Sequence, residues 1–333
     1  MKKHTPMFFA FLLIGILGSF VPADINAQKA VSSDSKTARI NIEEDDALQT
    51  YVKISSLPPA QQKKSFSEAS AAEKSRFWKI HFALFLLKHP DLNERQREVF
   101  LETASSAKPE TYRTPAADAS GNPKPEKIQT MQMLLVNATS VFSKQEVGEL
   151  LFNPGAGTGE IEILQKYQKI SELSLSRRKQ MFANFSAKEK SELWKLHIAL
   201  NLVERDELTK DQKFFLISAA SSINPEIFQI SPKDSLWKAK VAEPLRQMTA
   251  SVFEVFSKET GKEIFFELGG KSKESAAAEE DNLAPRCKCY IGYADACPYT
   301  DGGTCLPVSA CEKSTSGCGI LWDFPCNGSG CYR

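Results

Sequence analysis

The chain repeats itself. "YVKISSL" at Tyr51 returns as "YQKISEL" at Tyr167, and "FWKIHFAL" at Phe77 returns as "LWKLHIAL" at Leu193. "ASSAKPE" ending at Glu110 returns as "ASSINPE" ending at Glu226. Each pair lies 116 residues apart, so the match runs without a gap from Tyr51 to Glu110. Farther on, Val141 matches Val255 and Phe152 matches Phe266 at a spacing of 114. The two-residue loss falls where the first copy carries the loop "PAADASGNPKPEK". A match this long is an internal duplication, and it obliges most of the chain to fold as one module built twice. The first copy spans residues 49–155 and the second 156–270.

Each copy reads as helical. Ser70 with Glu73 and Ser186 with Glu189 form S-x-x-E capping boxes, in which the serine oxygen accepts from an orphan N–H and the glutamate reaches back. Asn93 with Gln96, Thr209 with Gln212, and Ser143 with Glu146 repeat the device; the last opens a short helix expected to end near Phe152. In the second copy Leu193, Leu196, Leu200 and Val203 follow at spacings of three and four, one apolar stripe of a helix. The same helix in the first copy, "FWKIHFALFLL", is apolar nearly all round and predicts deeper burial. Four or five helices per module are expected, and alternating strand patterns are scarce.

His81 and His197 occupy equivalent places, each three residues after a tryptophan and on the same helix face as it. One reading joins them across the modules as a metal or acid–base pair. The simpler expectation is that each bonds a backbone carbonyl, since a duplicated core duplicates its core residues. The sequence has no H-E-x-x-H, G-x-S-x-G or phosphate-binding loop, so no catalytic role and no cofactor is expected. An exported enzyme using the groove between the modules would have no catalytic constellation to work with. "GAGTGE" from Gly155 follows a helix and reads as the linker between modules. "FELGG" at Phe266–Gly270 resembles a double-glycine leader cut site, but Gly155 matches Gly269 in the repeat, and a left-handed helix cap explains both.

The flanks differ from the modules. The opening, basic "MKKHTP" followed by the apolar run Met7–Val21 and small residues to Ala27, reads as a secretory signal peptide over 1–27. No cysteine follows the run to carry a lipid anchor, so a secreted or periplasmic protein beginning near Gln28 is expected. Residues 28–48 are polar and read as a flexible spacer, and residues 271–285, "KSKESAAAEEDNLAP", as a tether. Forty-two basic residues against 41 acidic ones leave no reason to expect nucleic acid as a partner.

All eight cysteines lie between Cys287 and Cys331. They are Cys287, Cys289, Cys297, Cys305, Cys311, Cys318, Cys326 and Cys331, separated by 1, 7, 7, 5, 6, 7 and 4 residues. So small a segment has no adequate apolar core, and covalent links must replace it. Zinc sites favour closely paired cysteines and histidine; the tail has no C-x-x-C and no histidine, so a disulfide scaffold is expected and no metal. Cys287 and Cys289 are too close for an easy mutual bond; otherwise eight cysteines leave 105 pairings open. The expected fold class is therefore mostly α: two duplicated helical modules plus a small disulfide-rich C-terminal domain over 286–333, stable independently of the modules.

The pattern C-x-C, then "CP" at Cys297, "GCGILW" from Gly317 and "PCNG" from Pro325 resembles the bacteriocin fulvocin C. The layout as a whole resembles the bacteriocin fulvocin C-related proteins. The resemblance covers Pro285–Arg333 and implies four disulfides and an antibacterial peptide, for which the helical body would be a pro-region. The helical body has no counterpart in that small peptide, and the spacing to Cys331 departs from its pattern. Tyr290, Tyr293, Tyr299, Trp322, Phe324 and Tyr332 are candidates for contact with a target-cell surface component or a membrane interface. Arg286, Lys288, Lys313 and Arg333 balance Asp295, Asp301, Glu312 and Asp323, so attraction to anionic lipid is not built in. The second reading is an exported binding protein with the tail as an uncleaved recognition domain.

Overall fold

The computed structural model describes residues 42–113, 124–151, 157–270, 286–289, 304–307, 313–327 and 329–332. The expected signal peptide and most of the spacer lie outside them, as does the tether. The chain divides into a first unit ending at Thr158 and a second beginning at Gly159.

Module 1 consists of α1 Ile42–Ser55, α2 Pro59–Glu68, α3 Ala71–Lys88, α4 Glu94–Ser105, α5 Pro109–Arg113, α6 Pro125–Val141 and α7 Lys144–Leu151. Module 2 follows with α8 Thr158–Ser171, α9 Leu175–Ala183, α10 Ala187–Glu204 and α11 Lys210–Ser222. A 3-10 turn Pro225–Phe228 and a π turn Lys238–Ala242 then lead into α12 Glu243–Val255 and α13 Lys258–Phe265. The bounds of α1 and α8, and of α3 and α10, differ by 116 at both ends; those of α7 and α13 differ by 114. Seven helices in module 1 exceed the expected four or five. The extra ones are short or apolar-poor: α2 reads "PAQQKKSFSE" and α5 has five residues, too few to show a period. Helix α1 begins at Ile42, so the spacer is shorter than expected; Leu48, within it, is already buried.

The capping boxes form as expected. Ser70 and Glu73, Ser186 and Glu189, Asn93 and Gln96, and Thr209 and Gln212 each exchange both bonds. Ser143 and Glu146 do the same before α7. Each module is organised around its third helix. In α3, Phe77 through Leu86 are buried without a break. Helix α10 was expected to bury a single stripe, yet Leu193, Trp194, Leu196 through Leu200, Leu202 and Val203 are all buried. Its lysines and glutamates cluster in the first turns, which leaves the remaining length free to be enclosed on every side. Among the described residues no helix is long and apolar enough to cross a membrane.

The duplication extends to side-chain bonds. The Ser75 hydroxyl donates to the Ala107 carbonyl, and Ser191 donates to Ile223 at 3.0 Å. Gln96 Nε2 donates to the Val141 carbonyl at 3.2 Å, and Gln212 Nε2 to Val255 at 2.9 Å. These pairs fasten remote backbone segments to the same helices in both copies.

The second unit also contains strands from the cysteine-rich tail. β1 Arg286–Cys289, β5 Ser329–Tyr332 and β2 Thr304–Pro307 form an antiparallel sheet in the order β1-β5-β2. In its register Cys305 stands opposite Cys331. β3 Lys313–Cys318 pairs antiparallel with β4 Phe324–Asn327. The connection between β3 and β4 is the hook "GILWDF", Gly319 to Phe324.

Candidate functional site

The two histidines come first, because their types promise most. Both are fully enclosed. His81 Nε2 lies 2.7 Å from the Glu149 carbonyl, and His197 Nε2 lies 3.1 Å from the Glu263 carbonyl. Glu149 and Glu263 are themselves equivalent, 114 apart. A carbonyl only accepts, so each Nε2 carries the proton. The Tyr167 hydroxyl lies 2.7 Å from His197 Nδ1 and donates to its lone pair. Burial lowers both rings to about 4, with the carbonyl bonds opposing it, so both are neutral at pH 7. The carbonyl-bonded expectation is met: each histidine is used inside its own module. Among the described residues no group of three or more His, Cys, Asp or Glu is placed to hold a metal ion.

The feature that stands out is the hook. Ile320, Leu321 and Trp322 are buried, and Trp322 is only 1% exposed. Its indole Nε1–H donates to the Phe266 carbonyl at 2.8 Å, at the end of α13. Its ring meets Phe182 of α9 edge-on at 5.4 Å and Trp194 of α10 at 5.5 Å. Lys179 Nζ sits 5.8 Å from its ring centroid, a cation–π contact. Phe324 lies 5.7 Å from Trp237, again edge-on. The tail thus supplies a tryptophan to the aromatic core of module 2.

The backbone of the hook is sharply wound. Gly319, Leu321 and Trp322 all have positive φ, at 69°, 55° and 57°. At Gly319 a Cβ would come within 2.6 Å of the Phe324 ring, so only glycine permits this hairpin to close. Left-handed backbone at Leu and Trp costs about 1–2 kcal/mol each, and it is maintained here because the side chains it aims are buried. Asp323 follows. Burial pushes its carboxyl up to about 8, with Lys190 opposing the rise. Burial also lowers the Lys179 ammonium to about 8, against the pull of Glu267.

A second fastening lies beside the first. Arg178 is fully buried and donates to four backbone carbonyls. Nε donates to Leu173 at 2.7 Å, Nη2 to Ser171 at 2.6 Å, and Nη1 to both Leu268, at 3.0 Å, and Gly270. It therefore locks the "FELGG" segment onto α8 and α9. Gly269 and Gly270 are left-handed, as expected, with φ of 85° and 73°. They do not cap a helix directly, however: α13 ends at Phe265, and the glycines shape the turn beyond it. A Cβ on Gly269 would approach the Ser171 backbone to 2.9 Å.

The expected independence of the tail therefore fails at the hook. Trp322, expected to face a target, is a core residue of unit 2, and Phe324 is half-buried against Trp237. The reason is geometric: the positive-φ turn points the hook inward, and no sequence pattern distinguishes an aromatic aimed at a partner from one aimed at its own body. Tyr290, Tyr293, Tyr299, Cys297 and Cys311 lie outside the described residues. Cys287 and Cys289 fall in β1, Cys305 in β2, Cys318 in β3, Cys326 in β4, and Cys331 with Tyr332 in β5. Arg178 was missed altogether. Its signal was a single difference in the repeat, arginine where module 1 has Gln62.

Compared with known proteins, the chain matches no family model, no curated protein and no solved structure.

Proposed function

We propose that this is an exported, bacteriocin-like recognition protein that works in one piece. Its helical body carries a disulfide-stapled, fulvocin C-like tail that is not cut away, and the tail engages a component of a target-cell surface. It is not an enzyme. The observation behind this reading is Trp322: a residue buried as deeply as the module's own Trp194 belongs to the body that buries it. Arg178 adds support, because it holds the double-glycine segment in a turn that a protease would have to pull open. With the hook turned inward, the aromatic candidates that remain for a target are Tyr290, Tyr293, Tyr299 and Tyr332.

Mass spectrometry of exported protein, run without reductant, tests the reading. The expected species is the intact chain from near Gln28 to Arg333, with all eight cysteines unreactive to thiol reagents. A free tail accumulating in the medium would replace this reading with that of a released antibacterial peptide. Reactive thiols in the native protein would remove the disulfide scaffold from either.

A further inference from the structure

We infer that the aromatic socket of module 2 is a recognition site for the hook that needs no covalent link to it. The body contains no cysteine, since all eight lie at Cys287 or beyond. No disulfide can therefore tie tail to body, and the only covalent connection is the backbone through 271–285. What holds the hook is local. The ring of Trp322 is enclosed by Phe182 and Trp194, its N–H is matched to the Phe266 carbonyl, and Lys179 sits over its face. This is the anatomy of a binding hot spot: a tryptophan anchor in a dry aromatic pocket with one directed hydrogen bond at its centre.

The hook is also largely built before it docks. It is the closed end of the β3–β4 hairpin, wound by Gly319 and pinned where Cys318 pairs with Phe324. The strands set the hook's position, and burial of Leu321 and Trp322 then holds the left-handed turn at its tip, so docking has only that turn to order. On the other side, Phe182, Trp194 and Phe266 are set by α9, α10 and the end of α13, which the Arg178 clamp fixes independently of the tail. A largely preformed ligand and a preformed site make a complex that does not depend on the tether. Cutting the chain between body and tail would produce two polypeptides that remain together, and release would need a second event that undocks Trp322. The inference rests on the geometry of unit 2 and holds whatever the tail recognises.

The test uses the full mature chain with a site-specific protease sequence inserted between Ala277 and Ala278. After complete cutting without reductant, tail and body are expected to co-elute in native size exclusion and to part in denaturant. W322A is expected to release the tail at least about tenfold faster than the unsubstituted chain, as loss of a hot-spot tryptophan does. W322F, which keeps a ring but loses the donor to Phe266, is expected to fall between. Separation of the unsubstituted tail from the body on cutting would overturn the inference, whatever the variants do. So would co-elution of the cut W322A chain with unchanged release. Neither result bears on whether the exported protein is naturally intact, which the mass measurement decides.

Discussion

Module 1 and module 2 share most of their helices and differ in how one edge is used. Gln62 in module 1 donates Nε2 to the carbonyls of Ser55 and Leu57, at 3.0 and 2.8 Å. Arg178 in module 2 donates to the equivalent carbonyls, Ser171 and Leu173, and uses its extra nitrogen to reach Leu268 and Gly270. Phe66 is half-buried where Phe182 is buried, and Trp78 is 8% exposed where Trp194 is 0%. One copy has been adapted to hold the chain that follows it. The differences between duplicates therefore locate function better than the similarities, which record only the shared core.

The sharpest way to break this comparison is to remove what module 2 has gained. W322A empties the space between Phe182 and Trp194 and leaves the Phe266 carbonyl without its donor. A loss of about 3–5 kcal/mol in the stability of unit 2 is expected, as for other buried aromatic truncations. Denaturation followed by hydrogen exchange should show the loss in residues 159–270 and spare residues 42–151. Reductant, by opening the expected disulfides, should loosen module 2 as well, since the hook depends on the hairpin that presents it. Equal effects on both modules, or none, would show that the tail is not part of the module 2 core.

Acid supplies the next effect, and here the two histidines should act alike. His81 and His197 both sit at about 4 in the folded chain because burial disfavours the charged ring. Unfolded histidine titrates near 6.5, so the unfolded state takes up the proton first. Their contribution is whole above about 6.5 and is lost as the pH falls through about 4, up to about 3 kcal/mol per histidine. Asp323 runs the other way. Its raised carboxyl favours docking when protonated, so that contribution is whole below about 4 and is lost as the pH rises through about 8. One carboxyl oxygen of Asp323, Oδ2, has no hydrogen-bond partner among the described residues, so ionisation there is poorly compensated; Lys190 opposes it only in part. Urea melts from pH 7 to pH 4 should weaken module 1 more than module 2, because protonation of Asp323 offsets part of the His197 loss in module 2. Hydrogen exchange at 319–324 from pH 6 to pH 9 should show the hook opening progressively, and D323N should flatten that trend.

The sequence exposed the repeat, the capping boxes and the buried histidines because each rests on a local rule seen twice. Ser70 with Glu73 identifies a helix start on its own, and Ser186 with Glu189 confirms it. The hook was not legible. "GCGILW" drew attention as a family resemblance, but the inward turn depends on positive φ at Leu321 and Trp322, which no L-residue pattern announces. Nor does spacing bring Trp322 to Phe266, 56 residues away. Helices α2 and α5 escaped for a different reason: few apolar residues over few turns give no period to detect.

A smaller change asks whether Arg178 is what distinguishes the modules. R178Q restores the residue of module 1 and should keep the bonds to Ser171 and Leu173. The carbonyls of Leu268 and Gly270 would lose their donor, at a cost of about 1–3 kcal/mol if no water replaces it. Cleavage by a nonspecific protease at 266–270 should accelerate, while the helices stay intact by circular dichroism. Unchanged protection of this segment would mean that the Gly269 turn is held by its own backbone.

The finest distinction concerns the histidine cores. The Tyr167 hydroxyl donates to His197 Nδ1 and so satisfies the one ring nitrogen that the Glu263 carbonyl cannot. Y167F keeps the ring and removes the shorter donor, leaving only the Asn201 amide, at 3.5 Å, beside that acceptor. The expected cost is about 1 kcal/mol at pH 7. The bond also favours the neutral ring, because a protonated Nδ1 cannot accept it. Without it the His197 ring should titrate higher than in the unsubstituted protein, and module 2 should lose less stability on acidification than it does with the hydroxyl in place. NMR titration of the two imidazoles measures this directly: His197 should move toward neutrality in Y167F while His81 stays where it was. Equal titration of His197 with and without the hydroxyl would assign the depressed value to burial and to the charges of Arg178 and Arg205.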